Sequence, residues 1–331
     1  MRRSVLDLRT VPQPLFMDHA EPLRFEPLFM ERVWGGRRLE TLFGKRLPPS
    51  ARIGESWELV DREDAQSVVH EGPLRGATLH ELWTEQRDAI FGLGLPDTAR
   101  FPLLFKILDA QERLSVQVHP PAEIAARLGG EPKTEMWYLL DAQLESDLYA
   151  GLRRGVTRES FADALRQGRV AEQIHSMRTK SGDSVFIPSG RVHAIGAGNL
   201  IVEVQQNSDT TYRVFDWNRP GLDGALRELH EAESMAAINF DDREPDFAQP
   251  VGEVLVECEH FRVEKWTLDA TRRSGGPGFA VFTVLSGSVS CGGRAFQAGD
   301  FFLLPASVSS SELEPTEAGT QVLCTTIPSQ R

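Results

Sequence analysis

The chain has 331 residues, enough for one large domain or two ordinary ones, and is 40% hydrophobic and 25% charged. Its 48 acidic and 36 basic side chains leave a formal net charge of −12. That balance speaks against a general nucleic-acid binder, but not against an anionic substrate, because a few local cations can outvote the net field.

Three scattered cysteines, Cys258, Cys291 and Cys324, give no disulfide framework and no CxxC metal pair, and read as reduced thiols. The N-terminal stretch MRRSVLDLRTVPQPLF has no apolar run of signal-peptide length. No stretch approaches the ~18 apolar residues of a membrane span. These features predict a cytoplasmic chain with no membrane partner.

Strand-like runs dominate from residue 52 onward: RIGESWELV, RFPLLFKILDA, LSVQVH, TEMWYLLDA, DSVFIP and NLIVEVQQ. They are rich in β-branched and aromatic residues and bounded by Gly, Pro and Asp. Helical patterns are fewer. One covers 78–92, with Leu79, Leu82, Trp83 and Ile90 on one face and Gly92 as its stop. A short one covers 122–130 and ends on glycine. Residues 157–177 read as two short helices broken near Gly168.

The acidic, proline-bearing stretch 241–250 reads as a linker, and β-runs resume after it: FRVEKWTL, FAVFTVLSGSVSCGG, RAFQAGDFFLLP and TQVLCTTIP. The pattern predicts a mainly β chain built of antiparallel sandwiches or barrels. There is no Gly-rich phosphate loop and no dinucleotide fingerprint.

Within LSVQVHPP, the side chains of Ser115, Gln117 and His119 share one strand face and Val116 and Val118 take the other. A face carrying a hydroxyl, an amide and an imidazole is either solvated or builds a site. A second stretch, GDSVFIPSGRVHAIGAGN, places Gly182, Pro188, Gly190 and His193 around a turn–strand–turn unit. It resembles the second metal-binding motif of the cupin superfamily of small antiparallel β-barrels. The first cupin motif usually offers His-x-His and then Glu. Here the matching place holds Gln117-x-His119, with Glu135 displaced by the insert PPAEIAARLGGEPK.

That departure resembles the type I mannose-6-phosphate isomerases (phosphomannose isomerases). So do the ordered blocks RVWGGRRL, IGESWEL, PLLFKILDA, QVHP, PKTEMWYLL, IPSGRVHAIGAG and NSDTTYRVFDWNR, which span roughly residues 25 to 220. The resemblance implies two cupin-like jelly-roll domains, with short helices inserted in the first. The catalytic domain would cover 1–240, a linker 241–250 and a C-terminal domain 251–331.

It also implies one zinc ion per chain, held by Gln117, His119, Glu135 and His193. Mannose 6-phosphate and fructose 6-phosphate would interconvert through an enediol. Lys133 would be the base beside the metal, Arg213 would bind the enediolate or the phosphate, and Asp209 would assist ring opening or hold Arg213. Lys106, set among apolar residues, and Ser115 are assigned to the phosphate or sugar end.

Zinc accepts nitrogen and oxygen ligands, and a neutral Gln keeps the site more positive, which suits an anionic substrate. The other histidines, His19, His70, His80, His175, His230 and His260, lack ligand spacing. Rival readings are a related isomerase with another aldose, a non-catalytic sugar-binding cupin, and an iron dioxygenase. The Gln and the long insert speak against the last. The oligomeric state stays open between monomer and homodimer.

GDFFLLPASVSS repeats the spacing of GDSVFIPSGRVH, with Pro305 matching Pro188, Ser307 matching Gly190 and Ser310 matching His193. The C-terminal unit is therefore expected to hold no metal.

Overall fold

The computed structural model describes residues 21–274, 278–308 and 311–328. The expected lack of a leader at the N-terminus, His19, and the Ser310 counterpart of His193 lie outside these residues.

The alternating and all-apolar runs become antiparallel strands. The first set is β1 (Leu28–Gly36), β2 (Ile53–Leu59), β3 (Asp61–Arg62), β4 (Ala65–Gln66), β5 (Leu103–Ala110), β6 (Val116–Val118), β7 (Glu135–Ala142), β8 (Asp147–Leu152), β9 (Ile174–Arg178), β10 (Ser184–Ile187), β11 (His193–Ile195), β12 (Asn199–Gln206) and β13 (Tyr212–Phe215). They form a six-stranded sheet in the order β1-β2-β5-β12-β7-β10 and a five-stranded sheet in the order β13-β6-β11-β8-β9, while β3 and β4 make a small ribbon. A buried cluster with Leu108, Trp137, Val185 and Ile201 from the first sheet and Leu148, Ala150 and Ile195 from the second lies between the two. Neither sheet closes on itself, so the expected β-barrel is a pair of open facing sheets.

The second set is β14 (Val254–Glu257), β15 (Arg262–Leu268), β16 (Arg272–Ser274), β17 (Ala280–Ser286), β18 (Ser288–Cys291), β19 (Arg294–Gln297), β20 (Phe301–Leu304), β21 (Ser311–Pro315) and β22 (Thr320–Thr326). Its sheets run β14-β15-β22-β17-β20 and β16-β21-β18-β19. Adding ten to each label of β5-β12-β7-β10 and of β6-β11-β8-β9 reproduces the second set's order, so the strand topology repeats along the chain.

Helices are short. Thr78 and Glu81 form a reciprocal capping box over helix Leu79–Glu85, and Thr157 does the same with Ser160 over helix Arg158–Arg166. The expected helix in 168–177 is corrected: a single 3₁₀ turn, Val170–Gln173, leads straight into β9. The β-branched and thioether residues of IHSM serve better on a sheet edge than in a helix this short. Residues 241–250 form no helix or strand but are not loose. Arg191 grips Asp242 with two hydrogen bonds of 2.7 Å, and the Ala248 N–H donates to the Ser184 carbonyl.

One large buried cluster joins the outer face of the six-stranded sheet to the C-terminal sheet: Phe105, Met136 and Val202 meet Phe261, Val281, Leu303 and Leu323. Among the described residues no helix is long and apolar enough to cross a membrane.

Candidate active site and metal centre

The site begins with three short segments that the turns bring together. Gln117 sits in the middle of β6, opposite His193 of β11 on one side and opposite Arg213 of β13 on the other. Arg213, Gln117 and His193 therefore stand in a row across one sheet face, about 4.8 Å per strand. His119 follows β6, where Pro120 and Pro121 end the strand. Glu135 is the first residue of β7, on the facing sheet. The Gly190 N–H donates to the His119 carbonyl, and the Lys133 N–H donates to the Ser189 hydroxyl, so the turn before His193 is tied to both other segments.

His119, Glu135 and His193 converge, with one ligand atom of each within 4.8 Å of the others. The Nε2 of His119 lies 3.7 Å, and the Nε2 of His193 3.5 Å, from the Glu135 carboxylate. All three residues are at most 1% exposed. His119 Nε2, His193 Nε2 and Glu135 Oε2 are buried with no hydrogen-bond partner among the described residues. Leaving such atoms unpaired costs about 1–3 kcal/mol each, so three around one point call for a shared partner.

The other imidazole nitrogens are spoken for. His119 Nδ1 lies 2.8 Å from the Thr210 carbonyl and His193 Nδ1 2.8 Å from the Arg191 carbonyl. A carbonyl only accepts, so each Nδ1 carries the proton and each Nε2 offers its lone pair toward Glu135, the arrangement that orients metal-binding histidines. Burial holds the His119 ring well below its usual range, with Lys133 and His193 adding to the effect, and burial with Lys133 brings His193 down to about 3. Both rings are neutral, as ligation requires. Burial, helped by Glu203, pushes the Glu135 carboxyl up to about 8 against the pull of Lys133 and Lys106. The donor set fits zinc.

The six other residues expected from the sequence, Lys106, Ser115, Gln117, Lys133, Asp209 and Arg213, all line one cavity of about 580 Å³ beside this trio. Lys133 Nζ is 3.7 Å from Glu135 Oε2. Lys106 is 3.2 Å from Glu203 and 3.7 Å from Glu55. Burial alone would lower its pKa, but Glu203 and Glu55 outweigh it and hold the ammonium above its usual range. Burial likewise raises Glu55, yet Lys106 and Arg32 drive it down to about 2. Lys106 thus has two carboxylate partners at the cavity wall.

Glu203 and Arg227 also line the cavity and were not expected from the sequence. Glu203 had a readable signal, a charge inside the apolar strand NLIVEVQQ, where an acid survives only with a buried partner. The partner is Lys106, with the Trp137 indole donating from 3.0 Å. Arg227 had no such signal.

Residues 23–162 match the family described as phosphomannose isomerase type I, catalytic domain. The mannose-6-phosphate isomerase ManA of Bacillus subtilis (strain 168) is 40% identical over 313 residues, which cover 89% of this chain and 96% of that protein. The chain belongs to the type I phosphomannose isomerase family.

Another member, from Streptococcus mutans, is 34% identical over 309 residues and covers the same shares. The crystal structure of a mannose 6-phosphate isomerase from Bacillus subtilis superposes with a TM-score of 0.81 at 31% identity, covering 93% of this chain and all of that one. Membership of this phosphomannose isomerase family spans both sheet pairs, since the matched regions extend far beyond the catalytic segment.

Proposed function

We propose that the chain is a zinc-dependent mannose-6-phosphate isomerase that interconverts mannose 6-phosphate and fructose 6-phosphate through an enediol. The observation that carries this reading is the convergence of three buried, unpartnered ligand atoms beside a cavity lined by Lys133, Asp209 and Arg213. His119, His193, Glu135 and the neighbouring Gln117 would hold one zinc ion per chain. Bound there, zinc supplies Lewis acidity that withdraws charge from a sugar oxygen.

The remaining chemistry belongs to the side chains. Asp209 takes the anomeric hydroxyl proton and delivers it to the ring oxygen as the C1–O5 bond breaks. Lys133 accepts the proton from C2 and returns it to C1 while the O2 hydroxyl proton passes to O1, so that C1 ends as a hydroxymethyl and C2 as the carbonyl. Arg213 offers a fixed guanidinium to the anion of the substrate, enediolate or phosphoryl, since guanidinium geometry suits both. Lys106, held cationic by Glu203 and Glu55, donates to sugar hydroxyls, and Ser115 adds a neutral contact.

The chain would divide into a catalytic cupin domain over 1–240, a connecting segment over 241–250 and a cupin-like domain over 251–331 without metal. Strand register supports the last point. Glu135 pairs with Ile187 at the start of β7, whereas Ala280 pairs with Leu304 at the start of β17. Gln117 pairs with His193, whereas Ser274 pairs with Ser311. The second unit has the frame and has no ligands at those places.

The test is purified chain mixed with mannose 6-phosphate, with zinc or with a chelator. Fructose 6-phosphate is expected only with zinc. Failure of the zinc-loaded chain to form it rejects the reading.

A further inference from the structure

The cations of the cavity are not equivalent. Lys106 stands between Glu203 and Glu55, Arg32 donates to Glu55 at 2.8 Å, and Lys133 stands beside Glu135. Each has a carboxylate of its own. Arg227, which also lines the cavity, is paired differently. Arg219 and Arg227 share one buried carboxylate, Asp216: Arg227 makes two hydrogen bonds to it, of 2.6 and 2.7 Å, and Arg219 a third of 2.9 Å.

Among the described residues Arg213 has no carboxylate within salt-bridge distance. Its Nη1 donates to the Glu228 carbonyl at 2.8 Å, and its Nε is buried without a partner. Arg213 is also near enough to Arg227 for the two like charges to disfavour each other, an effect second only to burial in lowering the Arg213 pKa. Of the acids at the cavity, Asp223 accepts from the Ala225 N–H and Asp209 lies toward Lys106. The structure thus keeps two guanidiniums near each other on the lining of a sugar-sized cavity, with Asp216 shared by Arg227 and Arg219, and with Asp216 and Glu228 each acting less on Arg213 than Arg227 does. Fork-shaped donors in that arrangement match a phosphoryl group.

We propose that Arg227, braced by Asp216, joins Arg213 to anchor the phosphoryl group of the substrate, and so makes the enzyme select phosphorylated sugars. Arg227 touches the substrate, and Asp216 is a positioning residue. This rests on the isomerase reading above, and it names where the anionic end of that substrate binds.

The experiment compares zinc-loaded wild-type chain with Arg227→Gln, Asp216→Asn and Leu222→Glu. It measures mannose 6-phosphate kinetics, inhibition by inorganic phosphate, and phosphate binding by calorimetry. Arg227→Gln is expected to raise KM about 10- to 100-fold, to leave kcat within about threefold, and to weaken phosphate binding in parallel. Asp216→Asn should shift KM the same way by less, and adding it to Arg227→Gln should cost little more, because the two act as one unit.

Should Arg227→Gln fail to fold, Leu222→Glu decides. Leu222 lines the cavity and is 62% exposed, so the added carboxylate disturbs charge and not packing. It should raise KM and the phosphate inhibition constant several-fold, with the effect shrinking in salt. Unchanged KM and phosphate binding in these variants, or a loss confined to kcat, would overturn the proposal. A wild-type chain that binds phosphate through Arg227 but converts no mannose 6-phosphate would reject the isomerase reading and keep the anion site.

Discussion

Glu135 is the residue on which the proposed metal chemistry turns. Its carboxyl, ordinarily near 4.5, is pushed up to about 8 by burial and by Glu203 in the metal-free chain. His119 and His193 are already neutral through the physiological range. Metal uptake near pH 7 must therefore expel about one proton, and it comes from Glu135. The folded pKa is raised, so Glu135 favours the metal-free fold fully below its unfolded pKa, and that contribution is lost as pH rises through about 8. Zinc affinity should move the opposite way, climbing about tenfold per pH unit between about 5 and 8 and then levelling. Competition with a chelator across that range measures it. A flat profile, or a slope of two protons, would show that Glu135 is not the group that yields to the metal. The meeting of His119 and His193 with Glu135 was legible because Gln117-x-His119 and the glycine–proline frame before His193 are local patterns. Arg227 was not, since its role depends on its contact with Asp216, and Glu203 showed only as a charge in an apolar run whose partner, Lys106, is distant in sequence.

Turns, more than strands, set the geometry of the site. Gly190 has φ +92°, and its N–H donates to the His119 carbonyl while its own carbonyl accepts from Asn239. A Cβ there would meet Pro121 at 3.3 Å and the Ala237 carbonyl at 3.4 Å. Gly190→Ala should thus cost about 1–2 kcal/mol in backbone strain and shift His193 against His119. A lower melting temperature together with weaker zinc binding is expected. Equal zinc affinity in the variant would mean that the turn does not set the ligand spacing. At this scale the sequence was readable where the signals are local: capping threonines at 78 and 157, and β-branched runs for β5, β7, β12 and β22. It misled at β9, and β8 passed unnoticed because Gly151 interrupts its pattern with φ +66°. Helix Glu231–Ala237 was missed as well, since its first turn carries no side-chain cap.

The two sheet pairs share more than a linker. The outer face of the six-stranded sheet and the C-terminal sheet bury Phe105, Phe261, Val281, Leu303 and Leu323 in one cluster, and Leu23 pairs with Leu303 at the sheet margin. Trp83 meets Phe91 and Phe101 edge-on, and Phe91 and Phe101 in turn meet Phe279 of the C-terminal unit edge-on. No periodicity reveals such a union, because a strand face that packs on another sheet reads like one that covers its own core. Separating the halves would expose that whole apolar surface at about 25 cal/mol per Å², which makes independent melting unfavourable. The chain should therefore unfold in one thermal transition, even though the proposed metal sits wholly within 1–240. Zinc in large excess over its Kd should move that single transition up by about 5 °C or more, since ligand bound only to the folded state stabilises everything coupled to it. Differential scanning calorimetry with and without zinc decides the matter. Two transitions, with only the first sensitive to zinc, would show that the C-terminal sheets fold on their own and that the shared cluster is an interface between independent units.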